Sequence, residues 1–142
     1  MGGYRHSAVY PYPAAALFDL VADVESYPDF LPFWAAARIV GRAGDVLTVD
    51  QVVRVAVLEW RLTSTATLDR PRRLRIASTE APFRTLEIVW TFVEEGPAAC
   101  RVTLDASYSF RKVPQALTDR FMDKAIRRYA RAFERRAHKM LG

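Results

Sequence analysis

Apolar and polar positions alternate with a period of two through the middle of this chain and recur at helical spacing on either side of it. Over residues 35–111 the alternation predicts a meander of about six strands. A hairpin turn is expected at residues 41–45, GRAGD, between two alternating runs. Alternation on one side only, with short turns, is typical of an antiparallel sheet that has one face covered.

Two helices are predicted outside the meander. The first follows a short strand in SAVYPYP, begins at Pro13 or Ala14 and runs to about Glu25. The second covers residues 114–141, with Pro114 at its first position, and would reach about 40 Å at 1.5 Å per residue. Its apolar stripe must be buried against the sheet; the stripe consists of Leu117, Phe121, Met122, Ala125, Ile126, Tyr129, Phe133, Ala137 and Met140. The predicted fold class is α+β, a curved sheet closed over one long helix.

The sheet face that meets the long helix combines large rings with small residues. The rings are those of Trp60, Trp90, Phe92, Tyr108 and Phe110, and Ser64 and Ala106 lie among them. A core selected only for packing would fill such gaps, because cavities are costly. The pattern therefore allows an elongated apolar pocket beneath the helix. It equally allows Phe121, Met122 or Tyr129 to fill the gap.

The segment SYPDFLPFW, residues 26–34, links the first helix to the meander and contains four aromatic rings. Pro28 and Pro32 restrict it to at most one helical turn. Its rings lie where the first helix meets the sheet edge, so they could close one end of the space under the long helix. A gate to the pocket and a plain packing plug both remain consistent with the sequence.

Length and composition indicate one domain, residues 1–142, with 51% apolar and 26% charged residues. No stretch is long enough and apolar enough to span a bilayer, and no targeting signal is visible. We therefore expect a cytoplasmic protein, with peripheral contact at the inner membrane as an option. Residues 111–139 hold ten basic and three acidic side chains, a net charge of +7, against −2 for the rest of the chain. Such a patch suits an anionic membrane or RNA, or is simply a solvated helix face.

Residues with catalytic or metal-binding chemistry are scattered. His6 and His138 lie near opposite ends, and Cys100 is the single cysteine, so neither a metal site nor a disulfide is indicated. Glycines form no phosphate-binding run, and no nucleophile elbow is present. We expect no catalytic residues, no metal and no cofactor.

Several segments resemble, in order, the coenzyme Q-binding START-domain family. They are LFDLVADVESYPDFLPFW, PRRLRI, PFRTLEIVW, CRVTLDASYSFR and QALTDRFMDKAIRRYARAFERRA. This family belongs to the polyketide cyclase/dehydrase superfamily and includes the bacterial ribosome-association toxin. The family motif falls on the following positions: Tyr27, Pro28, Phe30, Leu31, Pro32, Pro82, Phe83, Arg84, Leu86, Glu87, Trp90, Tyr108, Phe110 and Arg111.

The resemblance implies a helix-grip fold (START/Bet v 1-like), with six or seven strands and two short helices after the first strand. It also implies a cavity for ubiquinone or a similar polyprenyl lipid and a role as carrier or chaperone. Pattern and resemblance together give these ligand-binding candidates: Phe30, Leu31, Phe33, Trp34, Trp60, Leu62, Phe83, Trp90, Phe92, Ala106, Tyr108, Phe110, Phe121, Met122 and Tyr129.

Two alternatives follow from the same resemblance. A ribosome-binding module that blocks subunit association would use a strip of arginines for ribosomal RNA, as an anionic membrane contact also would. The strip comprises Arg127, Arg128, Arg131, Arg135 and Arg136. An aromatase/cyclase-type enzyme would need an acid/base pair in the pocket, for which Tyr108, Tyr129, Glu87 and Arg84 are the candidates. The sequence leaves the oligomeric state and the lipid's identity open.

Overall fold

The computed structural model describes residues 2–55, 57–80 and 82–142 and arranges them as one sheet, two α-helices and a short 3-10 helix. In chain order the elements are β1 (Gly2–Tyr10), α1 (Ala14–Ala22), the 3-10 helix (Val24–Asp29), β2 (Trp34–Ala43), β3 (Val46–Val55), β4 (Leu58–Asp69), β5 (Arg73–Ser78), β6 (Phe83–Gly96), β7 (Ala99–Phe110) and α2 (Gln115–Leu141). The predicted α+β fold, with six strands after the first helices, is confirmed.

The seven strands form one antiparallel sheet in the order β1-β7-β6-β5-β4-β3-β2. The strands from β2 to β7 pair in sequence order, and β1 pairs along its whole length with β7, from Gly2 opposite Tyr108 to Tyr10 opposite Cys100. This pairing makes β1 longer than the short strand expected from SAVYPYP. The hairpin at residues 41–45 is confirmed, with Gly44 at φ +58° in the left-handed conformation that glycine adopts readily.

The predicted faces of the sheet are confirmed. In β4 the inward side chains Leu62, Ser64 and Ala66 are buried, and in β7 the same holds for every second residue from Val102 to Tyr108. Because side chains alternate across a strand, this single register places most of the large apolar residues of the meander on the side that α2 covers, with Val40, Leu58 and Val93 among the exceptions.

The first helix is shorter than expected, because α1 ends at Ala22 rather than near Glu25. Pro28 disfavours α-helix at the residue before it, and residues 24–29 tighten into the 3-10 helix instead. The Tyr27 hydroxyl then donates a hydrogen bond of 2.5 Å to the Val21 carbonyl, one of the carbonyls that a helix end leaves unpaired. Among the described residues, no side chain caps the start of α1, where Pro13 stands.

The apolar stripe predicted for α2 is only partly buried. Tyr129, Phe133 and Ala137 are in the core, whereas Leu117 is 59%, Phe121 40% and Met140 56% exposed. A spacing of four residues advances about 40° around a helix of 3.6 residues per turn, so Leu117 and Phe121 lie on its flank. Met140 lies in the last turn. The prediction that the whole stripe is buried was therefore wrong at these three positions.

The packed core occupies one half of the space between sheet and helix. The Phe133 ring lies 4.9 Å from that of Trp90, and Phe18 of α1 lies 5.6 Å from Phe92. Cys100 is fully buried there as a free thiol. The C-terminal half of α2 thus packs against the core, whereas its N-terminal half covers a cavity.

Candidate ligand-binding cavity

A cavity of about 120 Å³ lies between the N-terminal half of α2, the concave face of the sheet and the segment that precedes β2. Its walls come from strands β3 to β7, from Val24, Tyr27, Pro32 and Phe33, and from α2 between Phe121 and Tyr129. Three small inward residues of the sheet leave this space unfilled: Ser64, Ala66 and Ala106. The cavity exists because these short side chains face the helix without a bulky partner to fill the gap.

Ten of the fifteen predicted ligand-binding residues line this cavity. They are Phe33, Trp34, Trp60, Leu62, Phe83, Ala106, Phe110, Phe121, Met122 and Tyr129. Phe121, Met122 and Tyr129 therefore form the helix side of the wall without filling the space. Contact of these ten side chains with a ligand stays a prediction.

The other five predicted residues lie outside the cavity. Trp90 and Phe92 share its sheet face but lie farther along β6, in the packed core. The Tyr108 ring lies against Gly2 and beside Asp119, so it fills the gap between β1 and the start of α2. Phe30 and Leu31 lie on the other side of the segment before β2, where Leu31 is buried and the Phe30 ring lies 5.1 Å from that of Phe133. Alternation gave the correct face for the strand residues but not their distance from the cavity.

The cavity is smaller than the roughly 300 Å³ at which small-molecule pockets usually begin. An isoprenoid chain therefore requires its walls to move apart. The strands are fixed by continuous ladders, whereas the segment before β2 and the first turns of α2 have no such ladder. We expect these two parts of the wall to move outward when a ligand enters.

One polar bridge crosses the otherwise apolar wall. The Trp34 Nε1 group donates a hydrogen bond of 2.7 Å to the Gln51 side-chain oxygen, and the Gln51 amide nitrogen donates to the Ser64 hydroxyl. Sequence reasoning missed Gln51. Its signal was an amide at an inward position of β3, between Val49 and Val53, where the alternation calls for an apolar residue.

Ionisable chemistry in the cavity wall is confined, among the described residues, to two tyrosines. Burial raises the pKa of Tyr27 well above its usual value of 10.0, and burial likewise raises the pKa of Tyr129, with partial opposition from the Trp90 indole. Both hydroxyls therefore stay protonated at neutral pH and offer hydrogen bonds rather than charge.

The segment before β2 reverses the chain at Phe33, whose φ of +73° lies in the left-handed region. A bulky residue there costs about 1–3 kcal/mol, which the surroundings must offset. The Phe33 carbonyl accepts a 2.8 Å hydrogen bond from the Arg54 amide, and its ring lies 6.3 Å from that of Phe121. The two rings meet at the cavity wall, so the aromatic segment closes the cavity on this side; whether it also acts as a gate stays a prediction.

The outer side of the same segment forms a second, polar groove of about 440 Å³ with α2. It is lined by Pro28, Asp29, Phe30, Leu31, Pro32, Arg128, Arg131 and Arg135. We call it the arginine groove.

The predicted strip of five arginines divides around this groove. Three of them line it, and the Arg136 guanidinium lies 4.9 Å from the centre of the Phe30 ring. Arg127 instead binds Asp123 of the preceding turn, at 3.1 Å.

A long C-terminal helix gripped by a curved seven-stranded sheet, with an apolar cavity between them, defines a helix-grip (START/Bet v 1-like) fold. The sequence pattern of the family described as "Polyketide cyclase / dehydrase and lipid transport" matches residues 10–134. The chain belongs to this family, and the resemblance drawn from the sequence is confirmed.

Relatives with different names share most of the chain. The ribosome association toxin RatA of Pseudomonas aeruginosa is 32% identical over 139 residues, which cover 97% of this chain and 96% of that protein. The mitochondrial coenzyme Q-binding protein COQ10 homolog B of Xenopus laevis is 24% identical, over 98% of this chain and 59% of its own length. Both names predicted from the sequence thus occur among the relatives.

Solved structures confirm the fold. A START superfamily protein from Mycobacterium smegmatis superposes with a TM-score of 0.85 at 16% identity, over 97% of this chain and 98% of that one. Across the described residues, no helix combines the length and the apolar character needed to cross a bilayer.

Proposed function

We propose that this protein binds a hydrophobic isoprenoid lipid, specifically ubiquinone, in the cavity under α2. It would carry this lipid or act as its chaperone. The observation that supports this best is the wall itself: rings and aliphatic side chains around a gap left by small residues, with no charged side chain among the described lining residues. Burying about 300 Å² of isoprenoid tail contributes roughly 7 kcal/mol at 25 cal/mol per Å². Part of that free energy must open the walls and order the ligand.

The polar bridge is the part of the wall at which we expect the head group to bind. A quinone ring carries carbonyl oxygens that accept hydrogen bonds, and Gln51, Ser64 and the Trp34 indole are, beside the two tyrosine hydroxyls, polar groups of the cavity wall that can donate. A lipid without acceptors would leave this bridge unchanged. The bridge therefore supports a ligand with an oxygen-bearing head over a plain hydrocarbon.

Mass spectrometry of an organic extract tests the proposal, using protein purified from a quinone-producing bacterium. We expect stoichiometric polyprenyl quinone from the unmodified chain and none from Ala106→Trp, which fills the cavity from the sheet. Because Ala106 is buried and the variant could fail to fold, Ala125→Phe fills the same space from α2.

Ala116→Phe is the matched control, since Ala116 is exposed on the same helix outside the cavity. All variants are checked for folding by circular dichroism. An empty extract from the unmodified chain, or quinone retained by both folded cavity variants, would contradict the proposed site.

A second candidate function is association with the ribosome. A relative that is 32% identical carries that function in its name, and α2 presents Arg131 and Arg135 without an ion-pair partner among the described residues. Sedimentation with ribosomal subunits at low and at moderate salt tests it. We expect salt-sensitive co-sedimentation, and its absence at low salt would contradict this function.

A cyclase-type activity receives less support from the geometry. Tyr129 lines the cavity as a neutral hydroxyl, and Glu87 points to the outer face, where Arg75 binds it at 2.6 Å. Tyr108 and Arg84 are not among the cavity residues. A binding role without catalysis remains our proposal.

A further inference from the structure

The arginine groove and the cavity share a wall. Residues 27–34 present Tyr27, Phe33 and Trp34 to the cavity and Phe30 and Leu31 to the groove, and Pro32 touches both. A movement of this segment that widens one space must therefore reshape the other.

The groove is built for an anionic group. Arg128, Arg131 and Arg135 enter it from α2, and no ion pair or hydrogen bond within the described chain occupies the guanidinium groups of Arg131 and Arg135. Asp29 is the single acid among the described lining residues, so three positive charges face one negative charge. Guanidinium groups bind phosphate through paired N–H donors, so a phosphate diester fits the groove.

Aromatic rings continue the groove toward the cavity mouth. The Arg128 guanidinium lies 5.2 Å from the centre of the Phe33 ring, and Phe33 in turn contacts the half-exposed ring of Phe121. By the helical period, Phe121, Arg128 and Arg135 lie on one flank of α2. A basic groove that leads to accessible rings is the arrangement proteins use for single-stranded nucleic acid, in which the groove follows the backbone and rings stack on bases.

We propose that the arginine groove binds the backbone of single-stranded RNA, with a base against Phe121, and that this binding competes with a lipid in the cavity. Phe33 connects the two sites, because it forms part of the cavity wall with Phe121 and its ring lies against the guanidinium of Arg128, which lines the groove. The groove has the shape described here beside a cavity of about 120 Å³. Opening the wall for a lipid displaces Phe33 and the cation that lies on it. The competition rests on the proposed lipid binding, whereas RNA binding in the groove does not depend on it.

Fluorescence anisotropy with a labelled 12-nucleotide oligouridine tests the groove. The double variant Arg131→Gln/Arg135→Gln should bind the oligonucleotide at least about tenfold more weakly. The slope of log K against log salt should become less steep by about 1.4, or 0.7 per lost phosphate contact. The control, Arg42→Gln with Arg73→Gln, removes the same charge from exposed arginines of β2 and β5 and should change affinity less than about threefold.

Equal losses in the two double variants would overturn the groove, since general charge attraction would then account for binding. The same proteins are tested on vesicles of phosphatidylglycerol and phosphatidylcholine. A groove variant that loses vesicle binding but keeps RNA binding would overturn the RNA assignment in favour of a membrane.

Competition is measured by adding a short-chain ubiquinone, with its binding followed in the same sample by quenching of tryptophan fluorescence. We expect the RNA affinity to fall at least about fivefold on saturation, within the usual range for coupled sites. The folded Ala125→Phe variant should show no such effect. Quinone that binds without changing RNA affinity would overturn the competition and leave the carrier function standing. Absence of quinone binding would overturn both, while the arginine variants still decide the groove.

Discussion

At the scale of single residues, Tyr27 links three parts of the site. Its hydroxyl binds the end of α1 through the Val21 carbonyl. Its ring lies edge-on to Phe30, Trp34 and Phe133, at centroid distances of 6.1, 6.3 and 5.4 Å. One residue thus joins the first helix, the aromatic segment and α2 at the edge of the cavity.

Replacing Tyr27 with Phe should lower the free energy of unfolding by about 1–2 kcal/mol at pH 7, because a buried carbonyl loses its partner. Urea denaturation measures this change. Tyr4→Phe is the control, since no hydrogen bond is found for the hydroxyl of Tyr4, which is only half-buried. A loss as small as that of the control would contradict the bond's role.

The same variant has a defined pH dependence. Burial raises the pKa of Tyr27 in the folded chain above its unfolded value of 10.0. The folded state therefore keeps its proton where the unfolded state loses it, and stability is full below pH 10 and declines as the pH rises further. Tyr27→Phe should decline less steeply with pH above 10 than the unmodified chain.

At the scale of elements, the two halves of α2 have different neighbours. From Tyr129 onward it closes the core against β6, and before that point Met122, Ala125 and Ile126 cover the cavity. The first part also rests against the strained turn at Phe33, through the Phe33–Phe121 contact. This division makes the first turns of α2 the part able to move without unfolding the core.

Removing the ring at Phe121 should therefore ease entry to the cavity. Phe121→Ala should speed uptake of a short-chain ubiquinone roughly threefold or more, because wall opening limits entry. Stability should fall by about 1 kcal/mol, since the ring is already 40% exposed. Stopped-flow quenching of Trp34 and Trp60 measures uptake.

Leu117→Ala provides the comparison, because Leu117 lies one turn earlier on α2 and does not line the cavity. Its uptake rate should match that of the unmodified chain. Equal rates in all three proteins would show that entry does not pass between Phe33 and Phe121.

At the scale of the whole molecule, alternation and helical spacing were enough to predict the fold class and the covered face of the sheet, and with the family resemblance they gave ten of the side chains that line the cavity. They could not separate Trp60 from Trp90, which share that face, because a period of two carries no information on how far along the sheet the helix packs tightly. Gln51 was missed because one polar residue in a strand does not reveal its partners. The arginine groove depends on residues 28–32 meeting α2, a contact between segments about a hundred positions apart.

The pairing of β1 with β7 has a consequence for how the protein is made. Gly2 lies opposite Tyr108, so β1 leaves the ribosome before the other strands of this sheet and has no partner in it until β7 has been synthesised. Contacts this distant in sequence form slowly, and unpaired strand edges in the meantime favour association with other chains. The edges of β1 therefore stay unpaired in this sheet while the six strands that follow it are translated.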